Sequence, residues 1–167
     1  MTLLVALRGV DGIVVASDSR GTFGDPRGVT AQNDAQKKLY RASKHAAILT
    51  AGSGELGAMV MADALKLIQE NDSVTTVLEK TRHLVREKYN EWFPHFALQQ
   101  NPQGQPVRPD LGLLIAGYDI QPDGPPVQKL FQMQSGLDFA PYASQLWLCV
   151  TRGRSICTLP VEPTVSE

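Results

Sequence analysis

The stretch that decides the fold is residues 2–22, TLLVALRGVDGIVVASDSRGT. Two short runs rich in β-branched residues, TLLVALR at 2–8 and GIVVASD at 12–18, flank a turn that contains glycine and aspartate. Runs of this kind around a short glycine-containing turn predict a β-hairpin. Such a hairpin returns Asp18 to the side where Thr2 begins the first strand, so a carboxylate and a hydroxyl are expected close together.

The rest of the chain predicts strands and helices in separate blocks. Residues 20–34, RGTFGDPRGVTAQND, are rich in Gly, Pro, Asp and Asn, which predicts a long turn region. Apolar residues at helical spacing predict one helix over 55–69 and a second helix with Ser73 as its N-cap. The other predicted strands are 37–43, 45–52, 111–119 and 127–133. Strands, then two successive helices, then strands indicate an α+β fold and not a βαβ alternation.

The composition excludes several classes of protein. The 167 residues are 43% hydrophobic and carry a net charge of -1, which predicts one globular domain without the basic field that nucleic acids or anionic membranes attract. No apolar run approaches a membrane span, and the N-terminus lacks the features of a signal peptide. Cys149 and Cys157 are too few for a disulfide framework, so we expect a cytoplasmic protein. The histidines do not have metal-ligand spacing, and neither a metal nor a cofactor is expected; they are His45, His83 and His95.

The glycine-rich segment GSGELG at 52–57 matches the pattern G-x-G-x-x-G between a strand and a helix. Alone, that pattern favours a dinucleotide-binding turn. The full fingerprint also needs a second parallel strand after the helix, with an acidic residue at its end. Asp72 lies at a suitable distance but precedes another helix. We therefore interpret these glycines as permitting close packing between strand and helix.

A second motif is spread along the chain and carries a resemblance to a known family. Its segments, in order, are Thr2, ASDSRGTFG (16–24), Lys37-Lys38, TAGSG (50–54), LLIAGYD (113–119) and QSGLDFA (134–140). In order and spacing this set resembles the proteasome β-subunit family and its bacterial ring-protease relatives, which are N-terminal-nucleophile hydrolases. The resemblance covers residues 2–141 and implies a four-layer αββα sandwich.

The resemblance implies that Thr2 is a nucleophile that cleaves peptide amide bonds once Met1 has been removed. A threonine hydroxyl needs a base to take its proton, and a free α-amine with a pKa near 8 can be that base. A nearby lysine cation favours the neutral amine by lowering its pKa. Lys38 matches the family lysine, but Lys37 stays open because adjacent strand residues face opposite sides. A form that keeps Met1 is expected to be inactive.

The other site residues are also implied by the resemblance. Asp18 would pair with and orient the lysine, and Ser135 would hydrogen-bond near the α-amine. The N–H of Gly52 would donate to the oxyanion, where close approach without a side chain is needed. The expected structural or substrate-backbone contacts are Arg20, Thr22 and Gly24. The implied partners are a peptide or unfolded protein substrate and further copies of the chain in a homo-oligomeric ring, with a partner ATPase left open.

After Pro141 the resemblance stops, although the family continues with two more helices. Residues 142–167, YASQLWLCVTRGRSICTLPVEPTVSE, lack a clear helical period. Codons for Tyr142–Leu148 can be chosen so that a shift of one nucleotide encodes Met-Leu-His-Asn-Tyr-Gly, and 156–164 can likewise hide Tyr-Ala-Leu-Tyr-Leu-Leu-Asn-Arg-Leu. We hypothesise a hydrolase domain at 1–141 and an atypical tail at 142–167 that is out of frame, so that the C-terminal helices are missing.

Two alternative functions remain at this level. The chain would be a non-catalytic structural subunit of a proteasome-like ring if it kept the fold and lost the chemistry. It would carry another N-terminal-nucleophile activity, as an amidase, acyltransferase or peptide ligase, if the same residues served a different substrate.

Overall fold

A computed structural model describes residues 2–24, 30–94, 109–143 and 146–151. The elements in chain order are β1 (Thr2–Arg8), β2 (Ile13–Ser17), β3 (Gly21–Gly24), β4 (Thr30–Asn33), β5 (Leu39–Arg41), β6 (Ala46–Gly52), α1 (Gly54–Leu67), α2 (Val74–Trp92), β7 (Leu111–Asp119), β8 (Val127–Gln134), a 3-10 turn (Ser135–Leu137), β9 (Tyr142–Ala143) and β10 (Leu146–Thr151). The chain therefore has a mixed α+β fold, as its sequence predicts.

The strands form two larger sheets and one separate hairpin. A five-stranded antiparallel sheet has the order β5-β6-β7-β8-β9, and a three-stranded sheet has the order β10-β1-β2. The predicted opening hairpin is confirmed, since β1 and β2 pair antiparallel with Leu4 opposite Ser17 and Arg8 opposite Ile13. This register brings the residue after β2, Asp18, beside the beginning of β1.

Alternation along β1 turns one side of the strand toward the five-stranded sheet. Leu4 and Ala6 are almost fully buried, whereas Leu3 and Leu7 are exposed. Because side chains alternate between the faces of a strand, Thr2 lies on the same face as Leu4 and Ala6. The buried residues of this core between the sheets are Leu4, Ala6, Leu49, Ala51, Leu114, Ala116 and Leu130.

The two helices cover the opposite face of the five-stranded sheet. Their buried side chains share one apolar core with residues of β6, β7 and β8, including Ile48, Ile115 and Met133. The described residues thus form three layers: the three-stranded sheet, the five-stranded sheet and the helices. Neither of the described helices is long and apolar enough to cross a membrane.

Two segments differ from the sequence prediction or extend it. The turn region predicted at 20–34 contains the hairpin of β3 and β4, in which Gly21 lies opposite Asn33. Thr22, Gln32 and Asn33 are exposed, and the glycine, proline, aspartate and asparagine residues of this segment favour turns, so the sequence does not reveal the two strands. In the tail, β9 pairs with β8 and β10 pairs with β1. Residues 152–167 lie outside the described residues, as do residues 95–108 between α2 and β7.

The N-terminus of α2 is fixed from two sides. Ser73 is the N-cap, as predicted, and its hydroxyl accepts a hydrogen bond from Thr76 N–H at 3.4 Å. Asp119, at the end of β7, accepts bonds from the N–H and the hydroxyl of Thr75 at 3.0 and 2.7 Å, and Lys129 Nζ lies 2.6 Å from its carboxylate. Burial raises the pKa of Asp119, but the bonds from Lys129 and Thr75 outweigh burial and lower it to about 2.

We expect Asp119→Asn to lower the free energy of unfolding by about 1–2 kcal/mol at pH 7, because the charge at the helix end is lost. The folded pKa lies below the unfolded value, so this contribution is present above about pH 4 and is lost as the pH falls through about 2. Urea unfolding between pH 7 and pH 2 measures it. Asp123→Asn, in the exposed turn before β8, is the control, and an equal loss in both variants would contradict the prediction.

Candidate active site

The site is formed where three strands from two sheets meet. Thr2 begins β1, Asp18 follows β2, and Lys38 directly precedes β5. Thr2 therefore lies in the three-stranded sheet and Asp18 directly after one of its strands, whereas Lys38 directly precedes a strand of the five-stranded sheet that faces it. The three predicted residues come together at one end of the space between the sheets.

The ammonium group of Lys38 is buried and fully satisfied. Its Nζ lies 3.0 and 2.9 Å from the two carboxylate oxygens of Asp18, 3.3 Å from Thr2 Oγ1 and 2.6 Å from the carbonyl oxygen of Arg20. An ammonium group has three donors, and here three groups accept them. The side chain of Lys38 is only 5% exposed, and this set of acceptors offsets the cost of burying its charge.

Asp18 is held as a carboxylate by the backbone as well as by Lys38. Leu3 N–H donates to Oδ1 at 2.8 Å, and Arg20 N–H donates to Oδ2 at 3.2 Å. Burial raises the pKa of Asp18, but the bonds from Leu3 and Lys38 outweigh it, so the pKa lies below its ordinary value. Asp18 is therefore charged at neutral pH and fixes the position of the lysine.

The two adjacent lysines point in opposite directions. Lys38 is turned toward Thr2 and Asp18, whereas Lys37 is exposed and its Nζ lies 4.9 Å from the centre of the Tyr40 ring. Of the two lysines left open by the sequence, Lys38 is the one placed at the threonine hydroxyl.

Gly52 ends β6 at a point where only glycine fits. Its φ is +93°, in the left-handed region, and a Cβ there would overlap the carbonyl oxygen of Asp110. Thr50 N–H donates to the carbonyl of Lys38 at 2.9 Å, so the N–H of Gly52, two residues later, is directed to the same side of β6. A backbone donor on that side suits an oxyanion.

Ser135 lies at the same end of the five-stranded sheet as Gly52. It follows β8, is buried, and its hydroxyl accepts a hydrogen bond from Leu111 N–H at 3.1 Å. Leu111 is the residue opposite Gly52 in the ladder of β6 and β7. The structure thus connects Ser135 to Gly52 through Leu111, and its predicted role at the α-amine stays a prediction.

The three predicted substrate-contacting residues lie in β3 or directly before it. The exposed guanidinium of Arg20 pairs with Asp34 at 2.6 Å, while its carbonyl binds Lys38. Thr22 and Gly24 lie in β3, opposite Gln32 and Thr30 of β4. Their contact with substrate stays a prediction.

Sequence reasoning missed the contacts made by the backbone. The carbonyl of Arg20 and the N–H of Leu3 hold Lys38 and Asp18, and the carbonyl of Asp110 fixes Gly52 and also accepts Ser53 N–H at 2.8 Å. Every residue has these groups, so no residue type marks them. Only the glycine at 52 carried a signal, since a position closed to a Cβ requires glycine.

Neither a metal centre nor a dinucleotide turn is favoured by the described part of the chain. Within it, no three His, Cys, Asp or Glu side chains are grouped to hold a metal ion. The segment 52–57 leads from β6 into α1, and β7, the neighbour of β6, is antiparallel to it and not the parallel strand that a dinucleotide fold needs. Comparison with family models and with curated proteins finds no match to this chain.

We expect Gly52→Ala to lower the free energy of unfolding by about 2–4 kcal/mol. Alanine is strained at this left-handed φ, and its methyl group would also overlap the Asp110 carbonyl. Thermal and urea unfolding measure the loss. Gly9→Ala is the matched control, since a Cβ there meets its nearest atom at an ordinary 3.5 Å. Equal stability of the two variants would contradict the close approach at Gly52.

Proposed function

We propose that this chain is a threonine hydrolase of the proteasome type that cleaves amide bonds in peptides. One observation carries the proposal: Lys38 Nζ lies 3.3 Å from Thr2 Oγ1 and is bound at the same time to both carboxylate oxygens of Asp18. A hydroxyl held by a buried, carboxylate-paired lysine at the beginning of a strand is the arrangement that an N-terminal nucleophile needs.

In the proposed reaction the nucleophile is Thr2 Oγ after cleavage of the peptide bond before Thr2. The free α-amine accepts the hydroxyl proton while Oγ attacks the carbonyl carbon of the substrate. Gly52 N–H donates to the oxyanion that forms. The amine then passes the proton to the departing nitrogen, which leaves an ester on Thr2, and water hydrolyses that ester by the same route in reverse. Met1 lies outside the described residues.

Lys38 has two effects in this reaction. Its positive charge favours the neutral form of the α-amine, and its bond to Oγ1 favours loss of the hydroxyl proton. Asp18 holds the ammonium group in place and neutralises part of its charge. Neither residue exchanges a proton with the substrate in this scheme, so both act by charge and orientation.

The complete fold that goes with this function is the four-layer αββα sandwich, assembled into a homo-oligomeric ring. Two features support it: the sheets pack face to face with helices on one outer side, and the outer side of the three-stranded sheet exposes Leu7 and Val14 at 44% and 63%. A second helical layer would cover these apolar residues.

The proposal is tested by comparing three proteins: one that begins at Thr2, one that keeps Met1, and Thr2→Ala. We expect only the first to hydrolyse peptides that release a fluorescent amine and to gain one adduct in intact mass from a peptide epoxyketone, a reagent that needs a terminal amine and a neighbouring hydroxyl. Thr2→Ser should retain part of the activity because it keeps both groups.

The outcomes separate the alternatives. Activity in the protein that keeps Met1 would overturn the assignment. A protein beginning at Thr2 that folds but neither turns over peptides nor reacts would be a non-catalytic ring subunit. Labelling at Thr2 without peptide hydrolysis would identify another N-terminal-nucleophile activity.

The adjacent lysines supply a matched pair of variants. We expect Lys38→Met to lower kcat at least about a hundredfold, because it removes the cation that favours the neutral amine and the deprotonated hydroxyl. Lys37→Met should keep the activity, because Lys37 is exposed and directed away from Thr2. Steady-state kinetics with the protein beginning at Thr2 measures both, and similar losses in the two variants would contradict the role of Lys38.

A further inference from the structure

Tyr89, in the last turn of α2, is fully buried and contacts two segments that lead to the site. Its hydroxyl donates to the carbonyl oxygen of Pro109 at 3.3 Å, just before β7. The edge of its ring meets the ring of Phe139 at a centroid distance of 4.9 Å and an angle of 75°, after β8. One side chain thus joins α2 to the beginning of β7, beside Gly52, and to the turn after β8, beside Ser135.

The first segment runs from Pro109 to Gly52. Two residues after the Tyr89 contact, Leu111 is paired with Gly52, and Asp110 between them accepts Ser53 N–H at 2.8 Å. Because Gly52 lies where a Cβ would overlap the Asp110 carbonyl, the two backbones are in direct contact. The position of the Pro109–Leu111 backbone therefore sets the position of Gly52.

The second segment runs from Phe139 to Ser135. Asp138 and Phe139 both have left-handed backbones, with φ of 49° and 54°, which non-glycine residues adopt only when their surroundings hold them. The fully buried Phe139 ring supplies one hold, and Arg86 Nη2, also on α2, supplies another at 2.6 Å from Asp138 Oδ2.

The two segments then meet at Leu111. The N–H groups of Asp138 and Phe139 return to the carbonyls of Ser135 and Gln134 at 3.2 and 2.9 Å. The hydroxyl of Ser135 in turn accepts Leu111 N–H. A single cyclic set of contacts therefore links the helix, the strained turn, Ser135 and the backbone opposite Gly52.

We propose that Tyr89 is a positioning residue for the proposed hydrolysis: its hydroxyl and ring hold the Pro109–Leu111 backbone and the Phe139 turn so that the N–H of Gly52 is aimed at the oxyanion. This inference rests on the proposed function for its kinetic consequence. Its structural part, the dependence of Gly52 on Tyr89, can be measured without any activity.

Tyr89→Phe keeps the ring on Phe139 and removes the hydroxyl that binds Pro109. In the protein that begins at Thr2, we expect kcat to fall about tenfold while KM changes less than about twofold, because a displaced oxyanion donor weakens the transition state more than the bound substrate. Because a smaller folded fraction would also lower the apparent kcat at constant KM, kcat is calculated per active site, counted by the adduct that the peptide epoxyketone forms.

Ser43→Ala is the control matched for the lost interaction. The hydroxyl of Ser43 is buried and donates to the backbone carbonyl of Asp72 at 2.8 Å, as Tyr89 donates to Pro109. It also accepts His45 N–H at 3.1 Å, at the far end of the sheet where the His45 carbonyl lies against Gly117. We expect a similar loss of melting temperature in both variants and unchanged kinetics in Ser43→Ala.

The chain allows Gly52 to be observed directly by NMR. The dipeptide Ala-Gly occurs twice, at Ala51-Gly52 and Ala116-Gly117, so deuterated protein labelled with ¹³C at the alanine carbonyl and ¹⁵N at glycine gives two selected amide signals. Ala116→Ser removes the label before Gly117 and identifies its signal. We expect Tyr89→Phe to move the Gly52 signal and leave that of Gly117, and Ser43→Ala to do the reverse.

Tyr89→Phe with an unmoved Gly52 signal and unchanged kcat would overturn the inference, as would equal movement of both signals. A Gly52 signal that moves in a protein whose turnover does not depend on Thr2 would support the coupling to Tyr89 and overturn the proposed function. The two failures are therefore distinguishable.

Discussion

The ammonium group of Lys38, buried between two sheets, is the constraint on which the rest of the site depends. A lysine that is 5% exposed is stable in its charged form only when its donors are occupied by well-placed acceptors. Here the acceptors come from β1 and from the segment that follows β2: the hydroxyl of Thr2, the carboxylate of Asp18 and the carbonyl of Arg20. The same ion pair that fixes how the two sheets meet also places a positive charge on the candidate nucleophile.

The part of the site around Gly52 depends on the close approach of two backbone segments and not on charge. At the end of β6 the backbone of Gly52 contacts the carbonyl of Asp110, and α1 begins two residues later at Gly54. Side-chain packing cannot hold a glycine, so the Pro109–Leu111 backbone must define its position. That backbone is held by Tyr89 from behind and by Ser135 from β8. The electrostatic half and the backbone half of the site therefore have separate supports, one between the sheets and one in the helical layer.

The sequence was sufficient where local patterns decide the structure. The hairpin of β1 and β2, both helices, the N-cap at Ser73 and strands β7 and β8 follow from short apolar runs bounded by turn residues, from helical period and from capping chemistry. It was insufficient where contacts are distant or made by the backbone. The choice between Lys37 and Lys38 needed the course of the chain just before β5, and the hairpin of β3 and β4 lies in a segment whose glycine, proline and aspartate residues favour a turn. The roles of the Arg20 and Asp110 carbonyls had no residue type to mark them.

The contacts of Asp18 bear on how the proposed nucleophile would be activated. This carboxylate binds the N–H groups of Leu3 and Arg20, and its third partner is the side chain of Lys38. None of these groups belongs to the peptide bond before Thr2. In the proposed mechanism, cleavage of that bond converts an amide nitrogen, which is not basic, into an amine that is, while the supports of Lys38 and Asp18 remain unchanged. The folded chain would thus hold the charged part of the site in place beforehand, and a single hydrolytic event would add the base.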